Sequence, residues 1–240
     1  PAPEPPSARP DWCYVSLGTW ALVGAELDGA LVTEACRARN FTNEGGIGGT
    51  TRLLKNVCGL WLVQQCRASW MRSGQEWSWD QLTQLAAEAP ALATLVDPND
   101  PSLVAPADMP EAIRTLARAA GEPVPESTGA VVRTALESVA AAIARTLDEL
   151  DGLLGRRVGR VHVVGGGVKN RLLCQWIADA TDRPVLAGPV EATAIGNLLV
   201  QLSSREGAVD LRAVRAVVRD TFEIVRYEPR DAARWKARLG

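Results

Sequence analysis

The 240-residue chain has a single histidine, His162, and none of its five cysteines, Cys13, Cys36, Cys58, Cys66 and Cys174, stands in a CxxC pair. One imidazole without a Cys or His partner cannot complete a zinc site. An odd cysteine number, with three of the five in segments that read as helix, predicts reduced, buried thiols in a cytoplasmic protein and no disulfide. Long apolar runs are missing: none reaches the roughly 18 residues of a membrane span. The N-terminus also lacks the charged-then-apolar layout of a signal peptide. Charge of one sign is missing too, since the formal net charge is −2 with Lys and Arg scattered among Asp and Glu. That pattern excludes an electrostatic footprint for nucleic acid or an anionic membrane and leaves a small molecule or a protein as partner.

What is present is carbon. With 47% apolar side chains the chain can bury one good core and a small second lobe. Residues 1–11 begin PAPEPPSARP, too proline-rich and polar to pack, and read as a linker or exposed loop. A domain is expected over residues 12–228 and a C-terminal helix over 229–240.

β-Branched, aromatic and small apolar residues on both sides of Ser16-Leu17-Gly18-Thr19-Trp20 predict a hairpin between Trp12 and Leu27. Asn40 to Thr51, rich in glycine and asparagine, predicts a shaped loop. An apolar stripe at Leu53, Val57, Leu60, Trp61 and Trp70 predicts a helix from Arg52 to Trp70. Shorter helices are expected at Asp80 to Glu88 and Pro110 to Ala119. The longest follows Ser127, repeats Val132, Leu136, Val139, Ile143, Leu147 and Leu150, and stops at Gly152 and Gly155.

From there the order is strand (Arg160 to Val164), glycine turn (Gly165-Gly166-Gly167), helix (Asn170 to Thr181), strand (Pro184 to Ala187) and helix (Glu191 to Ser203). This βαβα order predicts an α/β fold with parallel strands and a glycine turn at the edge where open sheets bind ligands. Residues 208–240 predict one more helix, a short strand near Phe222 to Tyr227 and a terminal amphipathic helix. The eight tryptophans are expected in the core or at lobe contacts.

Three spots carry chemistry. A Gly18-Thr19 turn can cradle phosphate with main-chain N–H groups and a hydroxyl, although most such hairpins do not. The triplet Gly165 to Gly167 removes side chains where a flat ring or ribose can lie, and the helix that follows offers its positive end; a plain flexible connection is the alternative. Asn56 and Gln64, eight residues apart on the expected helix and about 12 Å along its axis, suit one contact to a sugar and one to a nucleotide, or simply border the apolar stripe. Two nucleotide motifs fail. Asn170 stands where a dinucleotide fingerprint needs its third glycine, and Gly45 to Thr51 lacks the lysine of a P-loop. The string Glu191 to Asn197 reads as a helix start whose small residues allow close packing on a strand.

Five strings in order, YVSLGTW, TNEGG, LLKNVCGLWLVQ, HVVGGGVKN and GPVEATAIGN, resemble the C-terminal domain of FGGY carbohydrate kinases over roughly Trp12 to Tyr227. The resemblance implies a ribonuclease-H-like, actin-type ATPase domain, with a mixed sheet flanked by helices. It implies that a second, N-terminal sugar-binding lobe closes with it on ATP, Mg²⁺ and a ketose. It assigns ATP contacts to Thr19, Gln64 and Gly166, with Gly18, Gly165, Gly167 and Asn170 as their neighbours, and a sugar contact to Asn56. The family's general-base aspartate has no counterpart in these residues, so no catalytic residue and no metal ligand is expected in the chain. Other ketoses of the family and a non-catalytic nucleotide-binding domain remain the alternative readings.

Overall fold

The structure, a computed structural model, describes residues 11–204 and 210–240; of the linker expected over residues 1–11, all but Asp11 lies outside them. Seven strands form one sheet in the order β3-β4-β2-β1-β5-β6-β7. These are β1 (Cys13–Leu17), β2 (Trp20–Leu27), β3 (Thr42–Gly45), β4 (Thr51–Cys58), β5 (Val161–Val164), β6 (Val185–Ala187) and β7 (Val225–Tyr227). The β1–β5 and β5–β6 pairs are parallel and the other four antiparallel, so the sheet is mixed, as expected. The helices are α1 (Glu34–Ala38), α2 (Trp61–Arg72), α3 (Trp79–Glu88), α4 (Met109–Ala119), α5 (Thr128–Leu154), α6 (Arg171–Thr181), α7 (Ala192–Ser204), α8 (Leu211–Thr221) and α9 (Ala232–Leu239). None of the described helices is long and apolar enough to cross a membrane.

Helix α5 organises the core. Ser127 caps its start by accepting from the Ala130 N–H, and Gly155, at φ 66°, ends it in a left-handed turn that glycine adopts without strain. Its residues are buried nearly all round, because the sheet lies on one side and α3 and α6 on the others. Alanine at positions 140–142 and 144 lets those neighbours approach. Inside this layer Arg133 donates to Glu137 at 2.7 Å and to the carbonyls of Ala86, Ala87 and Ala89, where α3 ends. The C-terminal α9 packs on α6 and buries Trp235.

One expected element is wrong in kind. The helix predicted from Arg52 to Trp70 is a strand, β4, followed by α2. Leu53 is buried on the α5 side of the sheet while Leu54 is buried beneath Gly24 on the other, so two-sided burial erases the alternation that marks a strand. The break falls at Gly59, where a Cβ would lie 2.6 Å from the Gly18 carbonyl oxygen. The loop expected from Asn40 to Thr51 contains β3. Asn43 fixes it by accepting from the Leu31 N–H and donating to the Leu31 carbonyl, at 2.9 and 3.0 Å. The close packing expected of the helix after Glu191 is also absent: α7 has no buried residue.

All five cysteines are buried thiols. Burial pushes Cys13 and Cys174 up to about 12 and Cys58 to about 11, leaving them protonated and unreactive at neutral pH.

Candidate functional site

Because β1 runs parallel to β5 and turns directly into antiparallel β2, three features share one edge of the sheet: the end of β5, the β1–β2 turn and the end of β4. The Gly18-Thr19 turn is held from both sides. Gly18 donates its N–H to the Trp20 carbonyl at 2.8 Å. The first N–H groups around α2 donate back to the turn: Gly59 and Trp61 to the Thr19 carbonyl, each at 3.1 Å, and Leu60 to the Gly18 carbonyl at 2.8 Å. These bonds satisfy N–H groups that a helix start leaves unpaired, and they lock α2 against the hairpin. One turn into α2, Gln64 therefore faces the hairpin, and the Thr19 hydroxyl donates to its Oε1 at 3.2 Å.

On the other side of β1, Gly165 has φ 91° and would place a Cβ 2.8 Å from the Leu17 carbonyl oxygen. Only glycine fits there, for conformation and for space. Gly167 is buried, and a side chain on it would strike Leu17. Leu17 thus touches the glycine turn and precedes the Gly-Thr turn. Gly166 between them is exposed, and nothing lies within 4 Å of where its Cβ would be. Asn170 is committed elsewhere: its Oδ1 accepts from the Leu173 N–H as the cap of α6.

Asn56 lies on β4, opposite Leu22 of β2, and not one face over from Gln64 on a shared helix as the sequence had predicted. The correction groups Asn56 with Thr19 instead. Thr19 and Asn56 line one cleft of about 460 Å³ whose other walls include Trp20, Trp61, Asp100 and Val104. The loop that forms the far wall is pinned in place. Asn99 accepts from the Cys58 N–H at 2.8 Å, and the Trp61 indole donates to the Leu103 carbonyl at 3.1 Å. Asp100 accepts from the Ser102 hydroxyl and N–H, which holds its carboxyl below the ordinary carboxylate range.

Sequence reasoning missed Trp20. Trp70, Trp176 and Trp235 are core residues as expected, but Trp20 is 53% exposed in the cleft. Its position directly after Thr19, at the solvent end of a strand, was the available signal. Asp100 and Val104 gave none, because their loop comes to the sheet edge only through Asn99 and Trp61.

From the end of β5 to β4 is three strand spacings, about 14 Å. The edge therefore runs from a side-chain-free ledge at Gly166, past a hydroxyl and an amide at Thr19 and Gln64, to a walled cleft at Asn56. An elongated ligand with a flat end and a polar middle fits that run.

The rhamnulokinase of Bacteroides thetaiotaomicron is 41% identical to this chain over 232 residues, which is 97% of the chain and 47% of that protein. The chain thus spans about half the length of the relatives it matches. Among solved structures, the ligand-bound xylulose kinase from Lactobacillus acidophilus superposes with a TM-score of 0.69 at 14% identity, over 98% of this chain and 46% of that one. Glycerol kinase from Plasmodium falciparum, solved with ADP, superposes with a TM-score of 0.64 at 13% identity, over 94% and 44%. At such identities the likeness is one of fold, the actin-like ATPase fold of sugar kinases. The model of the FGGY family of carbohydrate kinases, C-terminal domain, matches residues 13–204, from the first strand through α7, and on that match the chain belongs to the FGGY family.

Proposed function

We propose that this chain is the ATP-binding half of a kinase that transfers the γ-phosphoryl group of ATP to the 1-hydroxyl of L-rhamnulose. The observation that carries the reading is the Thr19–Gln64 hydrogen bond, standing on one sheet edge between the bare Gly166 ledge and the Asn56 cleft. In this reading adenosine lies on Gly166, with Gly165 and Gly167 keeping the ledge flat. The phosphates pass Gly18 and Thr19, whose hydroxyl turns from Gln64 to donate to them. The Gln64 amide N–H₂, which has no partner among the described residues, donates alongside. Asn56 holds the sugar. Rhamnulose comes from the relatives' names, since the Bacteroides protein is a rhamnulokinase.

The residues present fit ATP through the glycine ledge, whose two flanking positions tolerate no side chain. Mg²⁺, when bound, neutralises charge on the β- and γ-phosphates. It would arrive on those phosphates, as Mg²⁺ does in kinase sites; among the described residues no three His, Cys, Asp or Glu side chains converge. Transfer joins the sugar's O1 to the γ-phosphorus, breaks its bond to the β–γ bridging oxygen, and sends the hydroxyl proton to a base. Asp100, the carboxylate lining the cleft, is a weak proton acceptor because Ser102 stabilises its charged form. The base is assigned to an N-terminal lobe, the other half of the relatives' length, which also closes over the sugar.

The chain alone should bind ADP weakly in titration calorimetry and show no sugar-dependent ATP turnover. The protein carrying both halves should phosphorylate L-rhamnulose at about 1 to 100 per second. A comparable rate from the chain alone overturns the division of labour. A complete protein inactive on every ketose overturns the kinase reading.

A further inference from the structure

The Asn56 cleft has a composition at odds with a pocket for a fully hydroxylated sugar. Trp20 is 53% exposed and Val104 60% exposed, both in the cleft, and Trp61 and Leu103 line it as well. Large apolar side chains left open in a concave site mark a surface that a ligand covers. The wall is in place without a ligand, because Asn99 ties its loop to the end of β4 and the Trp61 indole ties it to α2. Polar groups sit at the other places. Thr19 lies at the phosphate end, Asn56 two positions from the residue opposite Trp20 on the same sheet face, and Asp100 on the pinned loop.

A ligand matching that distribution has hydroxyls on one side and a hydrocarbon end on the other. A hydroxyl pressed against Trp20 and Val104 would lose its water without gaining a partner, whereas a methyl group there gains burial. Resting on the kinase reading above, we propose that Trp20 and Val104 form a methyl-accepting wall, by which the enzyme prefers a 6-deoxyketohexose to the ketohexose that keeps its 6-hydroxyl. Trp20 also lays an aromatic face along the sugar's C–H groups, while Asn56 reads the hydroxylated side.

L-Rhamnulose and L-fructose test this directly, because they differ only in the hydroxyl at carbon 6. In the complete enzyme, the ratio of kcat/KM for the first over the second should stand on the order of ten- to a hundredfold. Val104→Asn, which offers the extra hydroxyl a partner, should shrink that ratio by about tenfold. Trp20→Ala should shrink it too, with the KM for ATP unchanged in both variants. Val104 is mostly exposed, so its variant should keep the wild-type melting temperature even if Trp20→Ala disturbs the hairpin. If wild type phosphorylates both ketoses and Val104→Asn leaves the ratio within about twofold, the wall is not the determinant and only this inference falls. If wild type phosphorylates neither, the kinase reading fails first and takes the inference with it.

Discussion

The two faces of the sheet are built by different means. The face toward α5 is filled with carbon: Val15, Val23, Leu53, Val57 and Val163 have essentially no exposure, and α3 and α6 pack on α5 from behind. The opposite face carries Tyr14, directly opposite both Gly24 and His162, and near it Trp12, whose ring meets His162 edge-on at 5.2 Å. Its cover includes α8, through Arg215, which bonds Glu26 at 2.8 Å and lies over the Trp12 ring at 5.3 Å. Neither α7 nor α8 has a buried residue. Among the described residues, the first face is closed by packing throughout, whereas the second joins a buried patch at Leu54 to a few directional contacts. The candidate site's edge lies where the faces meet, so its geometry is inherited from the first face through Leu17, Gly59 and Gly167.

The sharpest way to break this comparison is at the buried ion pair behind α5. Glu137 is lifted above the ordinary range by desolvation, opposed by the attraction and hydrogen bond of Arg133. Arg133 also stacks over Trp176 at 4.7 Å and caps α3. Arg133→Met strands a buried carboxylate and three carbonyls, and should cost about 3 to 5 kcal/mol in urea unfolding. Arg133→Met with Glu137→Gln removes the stranded charge and should recover part of that loss. A single-variant cost below about 1 kcal/mol, the size of a surface pair, would mean that this layer is not sealed.

The same contrast explains what could be read from the sequence. Elements with one buried face or clear caps were legible: the β1–β2 hairpin, α5 with Ser127 and Gly155 at its ends, and the βαβα order around the glycine triplet. So was the grouping of Thr19, Gln64 and the glycines, although Asn56 was placed on the wrong kind of element. β4 was misread because Leu53 and Val57, with Leu60 and Trp61 just beyond the strand, fall at helical spacing, and Leu54, buried on the other face, hides the alternation. Small residues at the start of α7 were read as close packing, yet smallness permits approach without supplying anything to approach. The cleft wall at Asp100 and Val104 was illegible, since its position depends on two hydrogen bonds spanning about forty residues each.

On the second face His162 gives a pH signature. Burial first, then the charges of Arg160 and Arg215, hold its folded pKa below 6.5. Since the unfolded chain then takes up the proton more readily, this contribution to stability is fully present above pH 6.5 and is lost as pH falls through that value toward the folded one. His162 should therefore contribute a falling urea midpoint between pH 7 and about pH 5.5, read as the difference from His162→Gln because the lifted carboxyls of Glu137 and Asp151 are common to both proteins. His162→Gln should flatten that slope. A slope unchanged by the substitution would show that water reaches this face freely and that Trp12 and Arg215 do not shield it.

The smallest effect belongs to the outermost layer. Leu198 and Leu202, one turn apart on α7, are 61% and 59% exposed. An exposed leucine has little burial to lose, so Leu198→Ser and Leu202→Ser should each change the unfolding free energy by no more than about 0.5 kcal/mol beyond the helix-propensity difference. The same truncations at Leu136 or Leu147, buried on α5, should cost about 2 to 5 kcal/mol. Equal losses at the two sites would mean that the apolar stripe of α7 is covered in solution. The second face would then be closed by packing, as the first is, and the contrast between them would disappear.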